Sequence, residues 1–265
     1  MRWFRNLVVR IFASFGRAAE SVANHAGGIA LLVARTGKAL ATGQVPPRAV
    51  LNQAYAVGVQ SLPLVTVTAT LSGIVTSQQG SYQFTSGSVP LYILGSVVAS
   101  SVILELAPVL TAIVLIGRVG ARITAELGTM QVSEQIDALY ALGRDPIPVL
   151  AAPRILAGII AMPVLVGYAN GVGFLAGMVA ARMTAGLGIE AFLYGARMYW
   201  HNWDMFYSLM KALTFGFTVP VISVHMGLLT RGGAEGVGRS TTSSVVFMII
   251  AVLVMDALFP PLLLN

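Results

Sequence analysis

The sequence predicts an all-α integral membrane protein. It has an amino-terminal interfacial amphipathic helix, five transmembrane helices, and a short cytoplasmic helix between spans two and three. Three observations predict this. Only 26 of 265 residues are charged, 56% are apolar, and the mean hydropathy is +0.81, whereas a water-soluble domain carries about 25% charge. Apolar runs of ~20 residues, enough to cross about 30 Å of hydrocarbon as a helix, occur five times, at 54–77, 89–116, 155–181, 205–230 and 241–264. None of the runs alternates apolar and polar residues as a membrane strand would.

The chain divides into an amino-terminal helical segment, 1–47, and a five-span domain, 48–265. In the first, "RWFRNLVVRIFASFGR" places Trp3, Phe4, Leu7, Val8, Ile11, Phe12 and Phe15 on one half of a helical wheel. Arg2, Arg5, Arg10 and Arg17 fall on the other half, with only Val9 out of place. A helix lying in the membrane interface has this pattern, and a basic topology-setting tail is the plainer alternative. Arg10 interrupts the apolar stretch and no small-x-small site follows closely, which argues against a cleaved signal peptide. "GQVPP" at 43–47 breaks the chain before the first span.

Charge orients the spans. Thirteen of sixteen Lys and Arg precede the first span or lie in 117–154 and 231–239. The positive-inside bias then puts the amino terminus and the second and fourth loops in the cytoplasm, with the carboxy terminus periplasmic. The formal charge of +6 follows this distribution and is not a nucleic-acid signal. Within the spans, Glu105 and Asp256 stand out, because a charge near mid-bilayer faces protein or a water-filled cavity. Such carboxylates could line a substrate path, carry protons or fix helix packing. Lys211, at the start of the fourth span, is expected to snorkel to the outer interface. Gly167-x3-Gly171 and Gly173-x3-Gly177 on the third span predict close helix contacts.

The window 117–154 holds eight charges between two of the most apolar runs. Thr129 is the expected N-cap of a short helix there, Glu134 and Asp137 suit its amino-terminal half, and Gly143 with Asp145-Pro146 closes it. Val132, Ile136 and Leu139 recur at helical spacing. Such a helix rests on the membrane or docks into a partner, and the residues alone do not choose.

Several chemistries lack their residues. The only Gly-Lys pair, Gly37-Lys38, has Leu32 and Ala39 where a P-loop needs glycine and Ser or Thr. No serine sits in G-x-S-x-G. His25, His201 and His225 lack metal-ligand spacing, so no metal site and no catalytic residue is expected, and His225 reads as a packing residue. With no cysteine in the chain, thiolate and disulfide chemistry do not arise.

"AYAVGVQSLPLV" (54–65), "ELAPVLTAIVLIGRVGARITAELGTMQVSEQIDALYALGRDPIPVLAAPRILA" (105–157), "MKALTFGF" (210–217) and "GVGRSTTSSVV" (236–246) resemble the MlaE permease family. Its members are membrane subunits of ABC transporters that move lipids between Gram-negative membranes. The resemblance implies an inner-membrane permease for glycerophospholipid, serving outer-membrane lipid asymmetry. It implies no cofactor on this chain, with ATP and Mg on a separate ATPase subunit. The implied partners are that ATPase, a second copy of the chain, a hexamer of periplasmic MCE-domain protein and a small STAS-domain subunit. The loop helix then resembles a coupling helix, with Glu126, Glu134, Gln135, Asp137, Arg144 and Asp145 as the candidate ATPase-coupling residues. Val75, Tyr82, Leu104, Glu105 and Leu106 are the candidate lipid-binding residues, and Glu105, Asp256 and Lys211 the intramembrane polar ones. The family commonly reads Arg-Glu-Leu-Gly-Pro where this chain has Leu104 to Pro108, so lipid is expected to be held chiefly by its tails. Another hydrophobic cargo stays open on the same architecture. A proton-coupled secondary transporter using Glu105 and Asp256 is a competing reading, but it would show internal repeats that five unequal spans lack. An intramembrane enzyme lacks a nucleophile–base pattern, and a passive scaffold needs no coupling-type helix.

Overall fold

A computed structural model describes residues 2–84 and 90–263, and within the first helix the side chains of residues 2–19, 21 and 22 fall outside the description. The amphipathic face expected between Trp3 and Arg17 therefore lies outside the described side chains. So do residues 89 and 264, which bound two of the expected spans.

Helix α1 (Arg2–Ala41) is continuous over 40 residues, about 60 Å at 1.5 Å per residue. Leu32, Thr36 and Ala39 are buried, at the three- and four-residue spacing that lays one stripe on the bundle. Gly43 takes φ +66° and Gln44 N–H donates to the Ala39 carbonyl at 3.0 Å, which stops the helix. Helix α2 (Pro47–Val57) starts on the second of the adjacent prolines, where a missing N–H costs nothing.

Among the described residues, five helical stretches are long and apolar enough to cross a membrane: Pro47–Phe84, Ile93–Val132, Ile147–Ala185, Asn202–Leu228 and Gly233–Leu263. The first joins α2 to α3 (Leu62–Phe84) through a tight turn at Val59–Ser61. Arg118 braces that turn, donating to the Ala56 carbonyl at 3.1 Å, Ser61 Oγ at 2.6 Å and Gln60 Oε1 at 3.2 Å. The second span is α4 (Ile93–Ser101), α5 (Ala107–Leu115) and α6 (Ala121–Val132), joined by π-helical turns at Val102–Leu106 and Ile116–Gly120. It runs 16 residues past the expected end at residue 116. Ile123, Thr124, Leu127 and Gly128 are buried along it, and α10 and α11 pack on them. Thr129 therefore lies inside α6 and caps nothing. The break comes at Ser133 and at Glu134, which takes φ +59°, before α7 (Gln135–Ala141).

A π-helical turn at Ile147–Ala151 leads into α8 (Ala152–Ala185), the third span. Short α9 (Ile189–Met198) connects it to α10 (Asn202–Leu228), and α11 (Gly233–Leu263) is last. Glycines set the closest crossings. A Cβ on Gly73 of α3 would lie 2.0 Å from the Gly173 carbonyl oxygen, and one on Gly177 would lie 3.2 Å from the Gly73 oxygen. Gly158 and Gly216 bring α8 and α10 together in the same way, and Gly95 and Gly195 join α4 and α9. Gly167 and Gly171 do not follow the expectation, since a Cβ on either meets nothing within 4 Å. Six residues separate Gly167 from Gly173, which at about 100° each turns the first pair onto another face.

Candidate functional site

The centre of the site is a lysine with no exposed surface. Lys211 does not reach the interface as its place in the sequence suggested. It points inward from α10, 2.7 Å from Glu105 Oε2 and 2.6 Å from Asp256 Oδ1. Its Nζ also donates to the Leu104 carbonyl at 3.1 Å. In α-helical register the N–H facing that carbonyl would come from residue 108, which is Pro108 and has none. An ammonium has three N–H donors, and here it faces three oxygens on two other spans. It also sits 5.1 Å over the Tyr207 ring, which adds a cation–π attraction. Snorkelling fails because a charge that finds two carboxylates inside the bundle avoids a lone burial. The three intramembrane polar residues, scattered in sequence, thus form one cluster with two carboxylates on one cation.

Glu105 has a second side. Its carboxylate is 44% exposed and joins Leu71, Val75, Leu106 and Leu110 in lining an open trough of about 650 Å³. Hydroxyls of Thr68, Ser72, Thr76 and Ser101 line it too. Several of these are committed locally: Thr76 Oγ1 donates to the Ser72 carbonyl at 2.7 Å, and Thr68 Oγ1 to that of Leu64 at 3.1 Å. Of the residues singled out for lipid, Val75, Glu105 and Leu106 meet in the trough, while Tyr82 and Leu104 are not in its lining. Tyr82 stands 83% exposed near the end of α3. Leu104 contributes its backbone to Lys211, a role a side-chain argument misses.

At the other end of the second span, α7 projects from the bundle. Ile136 is its buried anchor at 3% exposure, and Glu134, Gln135, Asp137, Arg144 and Asp145 are exposed. Tyr140 and Leu142 are exposed with them, and Tyr140 and Asp137 line a groove against α1, so the knob carries apolar and charged groups side by side. Gly143 at φ +71° closes the helix. Asp145 Oδ1 accepts from the Ile147 N–H at 2.9 Å and starts the next turn. Glu126 differs from the other five. It is paired with Arg122 at 3.3 Å and with buried Arg154 at 3.1 Å, so it ties α6 to the root of α8.

The sequence also hid a contact between α1 and α10. His25 Nδ1 and His225 Nε2 are 3.0 Å apart and share a hydrogen bond across 200 residues. His225 is buried, as a packing residue would be, but its partner had no sequence signal. Thr124, Ser223 and Ser244 similarly join α6, α10 and α11, with Thr124 Oγ1 2.9 Å from Ser244 Oγ.

Comparison with known proteins bears on this geometry. A family model described as Permease MlaE matches residues 50–261. A probable ABC transporter permease, slr1045 of Synechocystis, is 39% identical over 212 residues, 80% of each chain. Another, RT0041 of Rickettsia typhi, is 39% identical over 216 residues, 82% of this chain and 83% of its own. The chloroplastic protein trigalactosyldiacylglycerol 1 of Arabidopsis thaliana is 37% identical over 214 residues, 81% of this chain and 61% of its own.

Proposed function

This chain belongs to the MlaE permease family and is an ABC transporter permease, and from that premise we propose that its cargo is glycerophospholipid, carried between the inner and outer membranes. The observation that supports this reading is the trough. Leucines and valine suited to acyl chains surround Glu105, its one charged lining group, and Lys211 stands directly behind that carboxylate. The relative from Arabidopsis carries the name of a glycerolipid, which agrees with a lipid cargo. In this reading two copies pair so that their troughs face one central cavity. Leu104 supplies no side-chain cation for a headgroup, so tails dominate recognition.

An ATPase subunit takes α7 into a groove, with Tyr140 and Leu142 as anchors and Glu134, Gln135, Asp137, Arg144 and Asp145 as rim. ATP and Mg belong to that subunit. The amino terminus and α7 lie in the cytoplasm, the carboxy terminus in the periplasm, and the membrane is the inner one. An MCE-domain hexamer meets the periplasmic face, and a STAS-domain subunit joins the ATPase. The nearest alternative is another hydrophobic cargo on the same path.

The test is a photo-crosslinking residue at Val75, with one at exposed Val164 of α8 as the control outside the trough, in protein purified in mild detergent and read by mass spectrometry. Phospholipid adducts at Val75, together with a co-purified ATPase, are expected. An intact complex that yields a different hydrophobic molecule at Val75, or no adduct, overturns the phospholipid reading.

A further inference from the structure

A second cavity lies on the other face of the second span. Along α4 and its π-helical turn, Ser101 and Glu105 face the trough, whereas Ala99 and Ile103, two residues out of phase, face a separate pocket of about 310 Å³. That volume falls at the lower end of the ~300–1,000 Å³ typical of small-molecule sites. The pocket exists because small residues, Ala99, Gly171 and Ala196, stand where α4, α8 and α9 converge. A Cβ on Gly171 meets nothing within 4 Å, so the space in front of it is open.

We infer that this pocket holds one acyl chain of a phospholipid, with the phosphate against Arg197. The wall is apolar, built from Ile103, Phe174 and Leu193 besides the alanines. Asn170 is its polar exception: Nδ2 donates to Ser208 Oγ at 3.0 Å, and Oδ1 is buried without a partner. Met205, Arg197 in the last turn of α9, and Trp200 complete the lining, and the last two are exposed. Around them Tyr199, Trp200, Trp203 and Phe206 are 40–51% exposed. Such a belt of aromatic rings marks the level of lipid headgroups. A guanidinium at that level, over an apolar pocket, complements an anionic phosphate with a hydrocarbon chain below it, because Arg matches phosphate by paired N–H donors. The site is independent of the cargo reading: it shares no lining residue with the trough, and α9 is held against α4 by the Gly95–Gly195 crossing. The lipid is a wedge between α9 and the bundle.

The probe is Trp200, isolated in the full-length chain by Trp3→Phe and Trp203→Phe. Purified protein is titrated with a phosphatidylglycerol brominated on its acyl chains, which quenches a nearby indole. Saturable quenching is expected, displaced by unbrominated phosphatidylglycerol. Arg197→Gln should raise the half-saturation concentration about three- to fivefold, as loss of a partly exposed charge pair does. Brominated diacylglycerol, which lacks the phosphate, should bind as weakly to the parent as phosphatidylglycerol binds to the variant. Gly171→Leu fills the pocket and should remove the saturable component. Quenching that rises linearly and is unchanged by Gly171→Leu overturns the site. Saturable quenching that is indifferent to phosphate and to Arg197 overturns the phospholipid as occupant. If Gly171→Leu does not yield folded protein, displacement in the parent decides, and its failure overturns the proposal.

Discussion

Replacing Lys211 by Met isolates what the buried cluster contributes. The substitution keeps the length of the chain and removes the charge, stranding Glu105, Asp256 and the Leu104 carbonyl together. Removing one partner of a buried ion pair costs about 3–5 kcal/mol, and an orphaned buried acceptor about 1–3 kcal/mol. Both figures shrink here, because Glu105 is 44% and Asp256 21% exposed and can turn towards water. About 3 kcal/mol is the working value, which at ~2–4 °C per kcal/mol for a chain of this size lowers the melting temperature by roughly 6–12 °C. Melting followed by size-exclusion chromatography in detergent measures it. The informative partner is the neutral triple variant, Lys211→Met with Glu105→Gln and Asp256→Asn. Removing every charge leaves no unpaired ion, so most of the lost stability should return. Lys211→Met melting within about 2 °C of the parent, or a triple variant no better than the single, would refute the argument.

Gly73→Ala should lower the melting temperature by several degrees and Gly167→Ala should leave it unchanged, because the added methyl meets the Gly173 oxygen in the first case and open space in the second; equal melting curves would contradict the crossing. Tyr140→Ala with Leu142→Ala should reduce recovery of an ATPase in pull-downs at least tenfold, for a loss of about 1.4 kcal/mol or more, and should leave the melting temperature within about 2 °C. Glu126→Gln should do the reverse, costing stability through Arg154 with little effect on pull-down. A cysteine at Gln131 should react with a membrane-impermeant thiol reagent only after the inner membrane is opened, and one at Gly188 before it; the opposite order inverts the topology.

Hydropathy alone located the five spans, since their length is fixed by the thickness of hydrocarbon and every backbone group must be satisfied within the helix. Their ends were less legible. The second span outran its apolar run because the small and hydroxyl face of Thr124 and Gly128 packs on α10 and α11, and tertiary contacts of that kind leave no mark on hydropathy. Lys211 was misplaced for a related reason. Nothing local distinguishes a lysine that will find two carboxylates on other spans from one that will rise to the surface, whereas Pro108, which deprives Leu104 of a donor, was a signal present and unread. His25 and His225 show the same limit across two hundred positions. The charges of α7 were readable from the loop, but the exposure of Tyr140 and Leu142 beside them was not, because helical spacing alone does not say which apolar residues the bundle covers.

The crossing at Gly73, Gly173 and Gly177 has a mechanical meaning. Two backbones already in contact cannot slide or roll against each other without carbonyl oxygens overlapping neighbouring main chain, so the first and third spans behave as one riveted plate. Across the bundle, α10 meets α11 at the Lys211–Asp256 pair and, further along, through sulfur: Ser223 donates to Met248 at 3.0 Å and Thr218 to Met255 at 3.2 Å. Thioethers on unbranched side chains refill a gap at little cost when neighbours shift. On the proposed transport reading, the first and third spans form the stiff wall of the trough, and movement between α10 and α11 pivots about the Lys211–Asp256 pair while the methionine contacts yield.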